Sequence, residues 1–366
     1  MSIFNKEKSS AEVVVEEICK IKKNEKVLII ANPETNLIAQ DLFTACTQSG
    51  AKTTLIYQQK KSSMENAEES VIGALKSEPD VCFSISAVKL GKDAQGQMNP
   101  YKTSDGKQYD SIFDYLLEGK KTMRAVWTPG ITVEMFERTV KIDYKLLGER
   151  CKKICAKYKN AETIHVTAPS GTDVTVNISG RNGLCDDGNF SEKGSGGNIP
   201  AGEVFVSPVV GKTQGKIVFD GSMTFSDGDS ILNTPISVKV ENGFVTEITG
   251  GEEAKRLLKD ITAAEKEALS MESKGKLPKG QGEVYAKNAR NIGELGIGLN
   301  PNANITGNML EDEKAFRTCH FAIGQNYDGD ANALIHFDGI VRNPTVVIKY
   351  SDGTEFTLLS EGELKI

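Results

Sequence analysis

The chain has 366 residues, of which 26% are charged and 39% hydrophobic, and carries a net charge of -6. This length predicts two domains, each burying its own core. Charges of both signs are interspersed and no run of Lys or Arg is flanked by aromatics, which argues against nucleic acid as a partner; no stretch approaches the roughly 20 apolar residues needed to span a bilayer, so no membrane partner is expected either.

The segment Met1 to Lys26 is charged throughout, and its longest apolar run is Val13-Val14-Val15, so it lacks the apolar segment of a signal peptide. The seven cysteines include no Cys-x-x-Cys pair, while Cys151 and Cys155 have the spacing of one helix face. Both features point to a reducing, cytoplasmic compartment. Val27 to Ala31 is a continuous apolar strand ended by Asn32-Pro33, after which Leu37, Leu42, Phe43 and Cys46 mark a helix stopped by Gly50. Thr53 to Tyr57 predicts a second strand, Met64 to Lys76 a polar helix, Val81 to Val88 a third strand and Arg124 to Trp127 a later one. This alternation predicts an α/β N-terminal domain with a mostly parallel sheet covered on both faces. The strand ends Asn32-Pro33, Ser84 to Ala87 and Thr128-Pro129-Gly130 are not glycine-rich phosphate loops, so a doubly wound domain without a nucleotide is expected.

A helix over Asp143 to Lys159, with Leu146, Leu147, Cys151, Ile154 and Cys155 on one side, leads out of that domain. The expected division is 1–159 for the α/β domain and 160–366 for an α+β metal-binding domain. Thr163 to Thr167 and Asp173 to Ile178 alternate as strands around Pro169-Ser170-Gly171, and Ile236 to Val240 pairs with Val245 to Ile248 across Asn242-Gly243. A helix follows from Glu252 to Met271. Gly194-Ser195-Gly196-Gly197 reads as a flexible segment.

The last third concentrates Glu294, Glu313, His320, Tyr327, His336 and Asp338 in a chain with only three histidines. Imidazole and carboxylate together ligate zinc, cobalt, manganese and iron, so a metalloenzyme is the first expectation. Glu203 opens a strand in Asn198 to Phe205, and Glu294 lies in the apolar, glycine-punctuated stretch Asn291 to Gly298. A buried carboxylate needs a cation beside it or takes up a proton, although each glutamate alone reads more readily as a surface partner of lysine. His320 falls in the apolar stretch Thr318 to Gly324, and His336 and Asp338, two apart, project from one face of a strand. One such histidine is usually a hydrogen-bonded core residue; two with an aspartate reverse that reading. His165 has no such companions and is read as an ordinary strand residue. Glu313 belongs either to a solvated charge cluster, Glu311 to Lys314, or to the shared site if the chain bends at Ala315 to Arg317. Tyr327 sits in a loop, where its phenol either donates to a developing oxyanion or caps a core edge.

Taken in order, Asn-Ile-Pro-Ala-Gly-Glu-Val-Phe at 198 to 205, Gly-Glu-Leu-Gly-Ile-Gly at 293 to 298, Glu-Asp-Glu-Lys at 311 to 314, His-Phe-Ala-Ile-Gly at 320 to 324 and His-Phe-Asp at 336 to 338 resemble the aminopeptidase T and aminopeptidase S family of metallopeptidases. The resemblance covers roughly residues 160 to 348. It implies a metallo-aminopeptidase with two divalent ions (zinc, cobalt or manganese) held by Glu203, Glu294, Glu313, His320, His336 and Asp338. It further implies Glu294 as a bridging ligand or base, Tyr327 as transition-state stabiliser, peptides with a free N-terminus as substrates, and a homodimer. The segment between His320 and His336 is shorter than in the better-known members, which reshapes substrate access. Two other readings compete. Ring-opening dioxygenases of hydroxylated pyridines, related to the same peptidases, use a mononuclear non-haem Fe(II) held by two histidines and one carboxylate, here His320, His336 and Asp338. The third reading is an inactive binding protein of the same fold.

Overall fold

The computed structural model describes residues 7–62 and 65–366. The first six residues of the charged N-terminal segment, and Met64 at the start of the predicted polar helix, lie outside the described residues. Two compact units result, Met1–Gly148 with Asp186–Ala201, and Glu149–Cys185 with Gly202–Ile366. The chain path is thus less simple than one division at 159/160, because a short stretch after Cys185 returns to the first unit.

In the first unit, five parallel strands lie in the order Gly196–Asn198, Arg124–Trp127, Val81–Ile85, Lys26–Ala31 and Lys52–Tyr57. The central Lys26–Ala31 strand is buried from Val27 onward, as expected for a strand flanked by others and covered on both faces. Helix Asn36–Gln48 follows it, and Gly50, at φ +84°, ends that helix in a conformation few other residues adopt cheaply. The polar helix is shorter than predicted, Glu69–Leu75. The expectation of a flexible Gly194 to Gly197 segment is corrected, since Gly196–Asn198 is the edge strand of this sheet. Its glycines serve close approach: a Cβ on Gly196 would lie 2.5 Å from the Ala125 carbonyl oxygen, and one on Gly197 2.6 Å from the Phe190 ring.

The second unit is α+β. An antiparallel eight-stranded sheet runs in the order Phe244–Thr249, Ile236–Glu241, Gln214–Phe219, Asp173–Asn177, Ala161–Thr167, Thr345–Tyr350, Glu355–Ser360 and Glu363–Leu364. Asn242 and Gly243 turn its predicted hairpin at φ +50° and +80°, the two positive values that a tight two-residue turn requires. His165 lies in this sheet opposite Thr175, with its Nε2 2.8 Å from Oδ1 of the diagonal neighbour Asp173. Helices Glu252–Ser273 and Gln281–Asn288 follow. A seven-stranded sheet completes the unit, in the order Gly228–Ile231, Ser222–Phe225, His336–Arg342, Thr318–Gly324, Ile292–Gly298, Glu203–Val206 and Leu184–Asp186. The fold class is therefore the one predicted, an α/β unit with a parallel sheet followed by an α+β unit. Among the described residues, no helix is long and apolar enough to cross a membrane.

Candidate metal centre

Four neighbouring antiparallel strands of the seven-stranded sheet build the site through their register. Glu203 lies opposite Gly298, Gly296 opposite His320, Glu294 opposite Ala322, Ala322 opposite Asp338, and Gly324 opposite His336. Directly opposed residues share a face, as do residues two apart along a strand. Glu203, Glu294, His320, His336 and Asp338 therefore all project from one face. The alternate positions, Val204, Leu295, Ile297, Cys319, Phe321 and Phe337, are buried and apolar and face the other way. Glu294 keeps the register of Gly296, and a bulge at Gly293 shifts the pairing by one residue only beyond it, at Ile292.

Small residues between the polar ones leave the room. A Cβ on Gly296 would lie 2.1 Å from the His320 ring, so only glycine lets that imidazole lie over its neighbouring strand. A Cβ on Gly298 would lie 2.0 Å from the Ala315 carbonyl oxygen, so glycine also admits the turn that carries Glu313 and Lys314. That turn follows the short helix Met309–Asp312, and the chain bends at Arg317, at φ +70°, to enter the His320 strand. The bend predicted between Ala315 and Arg317 is there. Within the charged run the structure separates the roles. Glu311 accepts from the Asn304 amide (2.7 Å), and Asp312 accepts from the Thr306 and Gly307 amides (2.7 and 2.9 Å) and the Ser222 hydroxyl (2.6 Å), so these two tie down a loop. Glu313 points into the site.

Two groups of potential ligands share His320: Glu294 with Asp338, and Glu203 with Glu313. His320 Nε2 is 3.0 Å from Glu294 Oε1 and 3.4 Å from Glu203 Oε2. His336 Nε2 is 3.3 Å from Asp338 Oδ1 and 3.6 Å from Glu294 Oε2. Its Nδ1–H donates to the Gln325 carbonyl at 2.9 Å, which orients the ring and leaves Nε2 facing the carboxylates. Sequence reasoning missed Lys314, whose side chain is fully enclosed at 0% exposure. Its ammonium donates to Glu203 Oε1 at 3.0 Å and to Glu313. Nothing in the residue string separates Lys314 from its exposed-looking charged neighbours; only the Gly298 strand, one register step from Glu203, draws it in. Tyr327 is 65% exposed, its ring 4.9 Å from Phe205 and edge-on to His336 at 6.0 Å, so it forms an aromatic rim.

Burial and charge set the protonation of the metal-free site. Burial pulls the His320 imidazolium down, but the hydrogen bond with Glu294 and the nearby Glu203 outweigh it and lift the group to about 9. For His336, burial is likewise overcome, by Asp338 first and then Glu294, and the group rises to about 10. Asp338 is held below the usual carboxylate range: burial opposes ionisation but the His336 charge prevails. Burial pushes Glu313 up to about 8, with Lys314 partly offsetting it, and Glu294 is raised by burial against the pull of both imidazoles.

The residues fit a divalent metal ion. Glu203 Oε2, Glu294 Oε2, His320 Nδ1 and Asp338 Oδ1 are buried without a hydrogen-bond partner. The positive groups nearest these buried oxygens are imidazoles that can give up their protons, and the mixed imidazole and carboxylate set suits a borderline divalent ion in their place.

Comparison with known proteins bears on which family the chain belongs to. No curated protein matches the chain in sequence. Two solved structures share its fold. The 2,5-dihydroxypyridine dioxygenase from Pseudomonas putida KT2440 has a TM-score of 0.70 and 16% identity, over 97% of this chain and 96% of that one. Wild-type AmpT from Thermus thermophilus has a TM-score of 0.67 and 17% identity, over 98% of each chain. The likeness to aminopeptidase T thus holds for the fold. The metallo-aminopeptidase assignment does not hold, and hydrolysis of peptides with Glu294 as base and Tyr327 as oxyanion donor goes with it. The quoted motifs mark the strands and glycines that build the face, and they do not report the reaction. A family model described as NicX, 2,5-dihydroxypyridine 5,6-dioxygenase, matches residues 132–363, more than half of the chain and every donor of the site. The chain belongs to the NicX family.

Proposed function

We propose that the protein is a ring-cleaving dioxygenase that holds a single Fe(II) and acts on a dihydroxylated pyridine or a close N-heteroaromatic relative. The observation that carries this reading is the convergence of His320, His336 and Asp338 on one buried face, inside the span matched by the NicX family. Two histidines and one carboxylate are the donor set of oxygen-using non-haem Fe(II) sites, in which the remaining positions stay open. The bound iron supplies the one-electron chemistry that lets O2 react with a spin-paired aromatic ring.

The other residues act on the substrate. Phe205 and Tyr327 offer a tilted aromatic pair beside His336, suited to a flat ring. A dihydroxylated ring gives up a hydroxyl proton as it binds, and Glu294 Oε2, buried, unpartnered and 3.6 Å from His336 Nε2, is the acceptor. Glu203 is held at its other oxygen by Lys314, which fixes it as a wall of the site. The test is oxygen uptake by Fe(II)-loaded protein given 2,5-dihydroxypyridine, with loss of ring absorbance and both atoms of labelled O2 in the product. Uptake no faster than that of free Fe(II), for this and other dihydroxylated pyridines, would sink the proposal.

A further inference from the structure

The half of the site made by Glu203, Glu313 and His320 has the donors for an ion of its own. It already contains a cation. Lys314 Nζ donates to Glu203 Oε1 at 3.0 Å and to Glu313 Oε1, and no part of its side chain reaches solvent. This ammonium has no route outward. The Lys314 amide donates to the Glu311 carbonyl (2.9 Å), its carbonyl accepts from the Asn300 amide (2.9 Å), and Gly298 packs against the following residue too closely for any side chain. In the other half, Glu294 and Asp338 face the imidazoles of His320 and His336, which can give up their protons to an ion.

We propose that Lys314 is the resident cation of the Glu203 and Glu313 half, so that the chain takes one divalent ion, on the Glu294, His336 and Asp338 side, although it carries donors for two. An ion seated on Glu203 and Glu313 would have to share their oxygens with an immobile positive charge, and at such separations in a buried site like charges exclude one another. The ammonium also keeps the two carboxylates apart from the ion next door, leaving His320 to serve that ion alone. This inference rests on the single-iron reading above, and extends it by naming the residue that sets the metal count.

The test counts metal and does not depend on turnover. Metal-stripped protein is titrated with Co(II), the bound metal is measured directly, and the fold is checked by circular dichroism. Wild type is expected to bind one Co(II) per chain, and Lys314→Met, which removes the charge and keeps the length, to bind two. Lys314→Gln is the second neutral variant, with the same expectation, should the methionine variant not fold. Lys314→Arg is expected to stay at one. Two ions in wild type, or one in a folded neutral variant, overturns the inference. One ion in wild type and two in the variant, without ring cleavage by wild type, upholds the role of Lys314 and fails the dioxygenase reading; two ions in wild type with ring cleavage does the reverse.

Discussion

The two halves of the site that meet at His320 are built alike and differ in one residue. Each offers two carboxylates on a strand or an adjoining turn, and each shares the same imidazole. On one side the carboxylates face His336, a neutral donor once it has lost its proton; on the other they face Lys314, which cannot coordinate at all while charged. The two halves thus differ in the basic side chain that the turn and the His336 strand bring to otherwise similar carboxylates. Metal-site identity cannot be read from the ligands alone, since the cations already present compete for the same oxygens.

Removing the shared residue breaks both halves at once. His320→Ala is expected to weaken Co(II) or Fe(II) binding by more than about 100-fold, beyond the usual cost of losing an outer partner of a ligand, and to abolish ring cleavage; equilibrium dialysis checks it, and tight binding by this variant would contradict the shared geometry. A change in pH acts next most strongly. In the metal-free protein His320 is raised to about 9 and His336 to about 10, so both carry protons at neutral pH and must release them to coordinate. Binding then releases about two protons, and the dissociation constant falls by about 100-fold per unit of rising pH until it approaches the lower of these values. Isothermal titration in buffers of different ionisation heat measures the proton count, and a count near zero at pH 7 would refute the protonated resting state.

Gly296→Ala sharpens the comparison without touching a donor. The added methyl falls on the His320 ring, at 2.1 Å. The expected cost is about 1–3 kcal/mol of stability from overpacking, with metal affinity reduced by about 10–100-fold as the ring turns aside; thermal unfolding and metal titration are read together, and unchanged affinity would show that the imidazole has room the structure does not. The smallest effect is expected at the rim. Tyr327→Phe should leave kcat within about twofold, because an exposed ring that only stacks keeps its area when the hydroxyl is lost, while Tyr327→Ala should raise KM. A large loss of kcat in Tyr327→Phe would return the hydroxyl to the chemistry.

Much of the fold was legible before any coordinates. The continuous apolar runs at Val27 to Ala31 and Arg124 to Trp127, the Asn242-Gly243 turn and the long helix from Glu252 follow from local rules of burial and backbone freedom, and the structure has them in place. The Gly194 to Gly197 segment was misread because glycine has two uses, freedom and close approach, and only the neighbouring Ala125 carbonyl and Phe190 ring show which applies. Glu313 could not be chosen over Glu311 and Asp312 on spacing, since all three lie on one turn and their partners come from elsewhere in the chain.

The sequence by itself determined that imidazole and carboxylate side chains share one face suited to a metal ion. Period-two spacing puts His336 with Asp338, and glycines beside the polar positions allow those side chains to converge. These are properties of single strands and need no partner. Which basic side chain meets which carboxylate was decided in three dimensions. Lys314 is distant in sequence from Glu203, and its ammonium meets that carboxylate only because the Gly298 strand lies between them without a side chain. A charge balance among residues brought together from four strands and a turn has no local signature, so the place of Lys314 among the carboxylates is legible only in the fold.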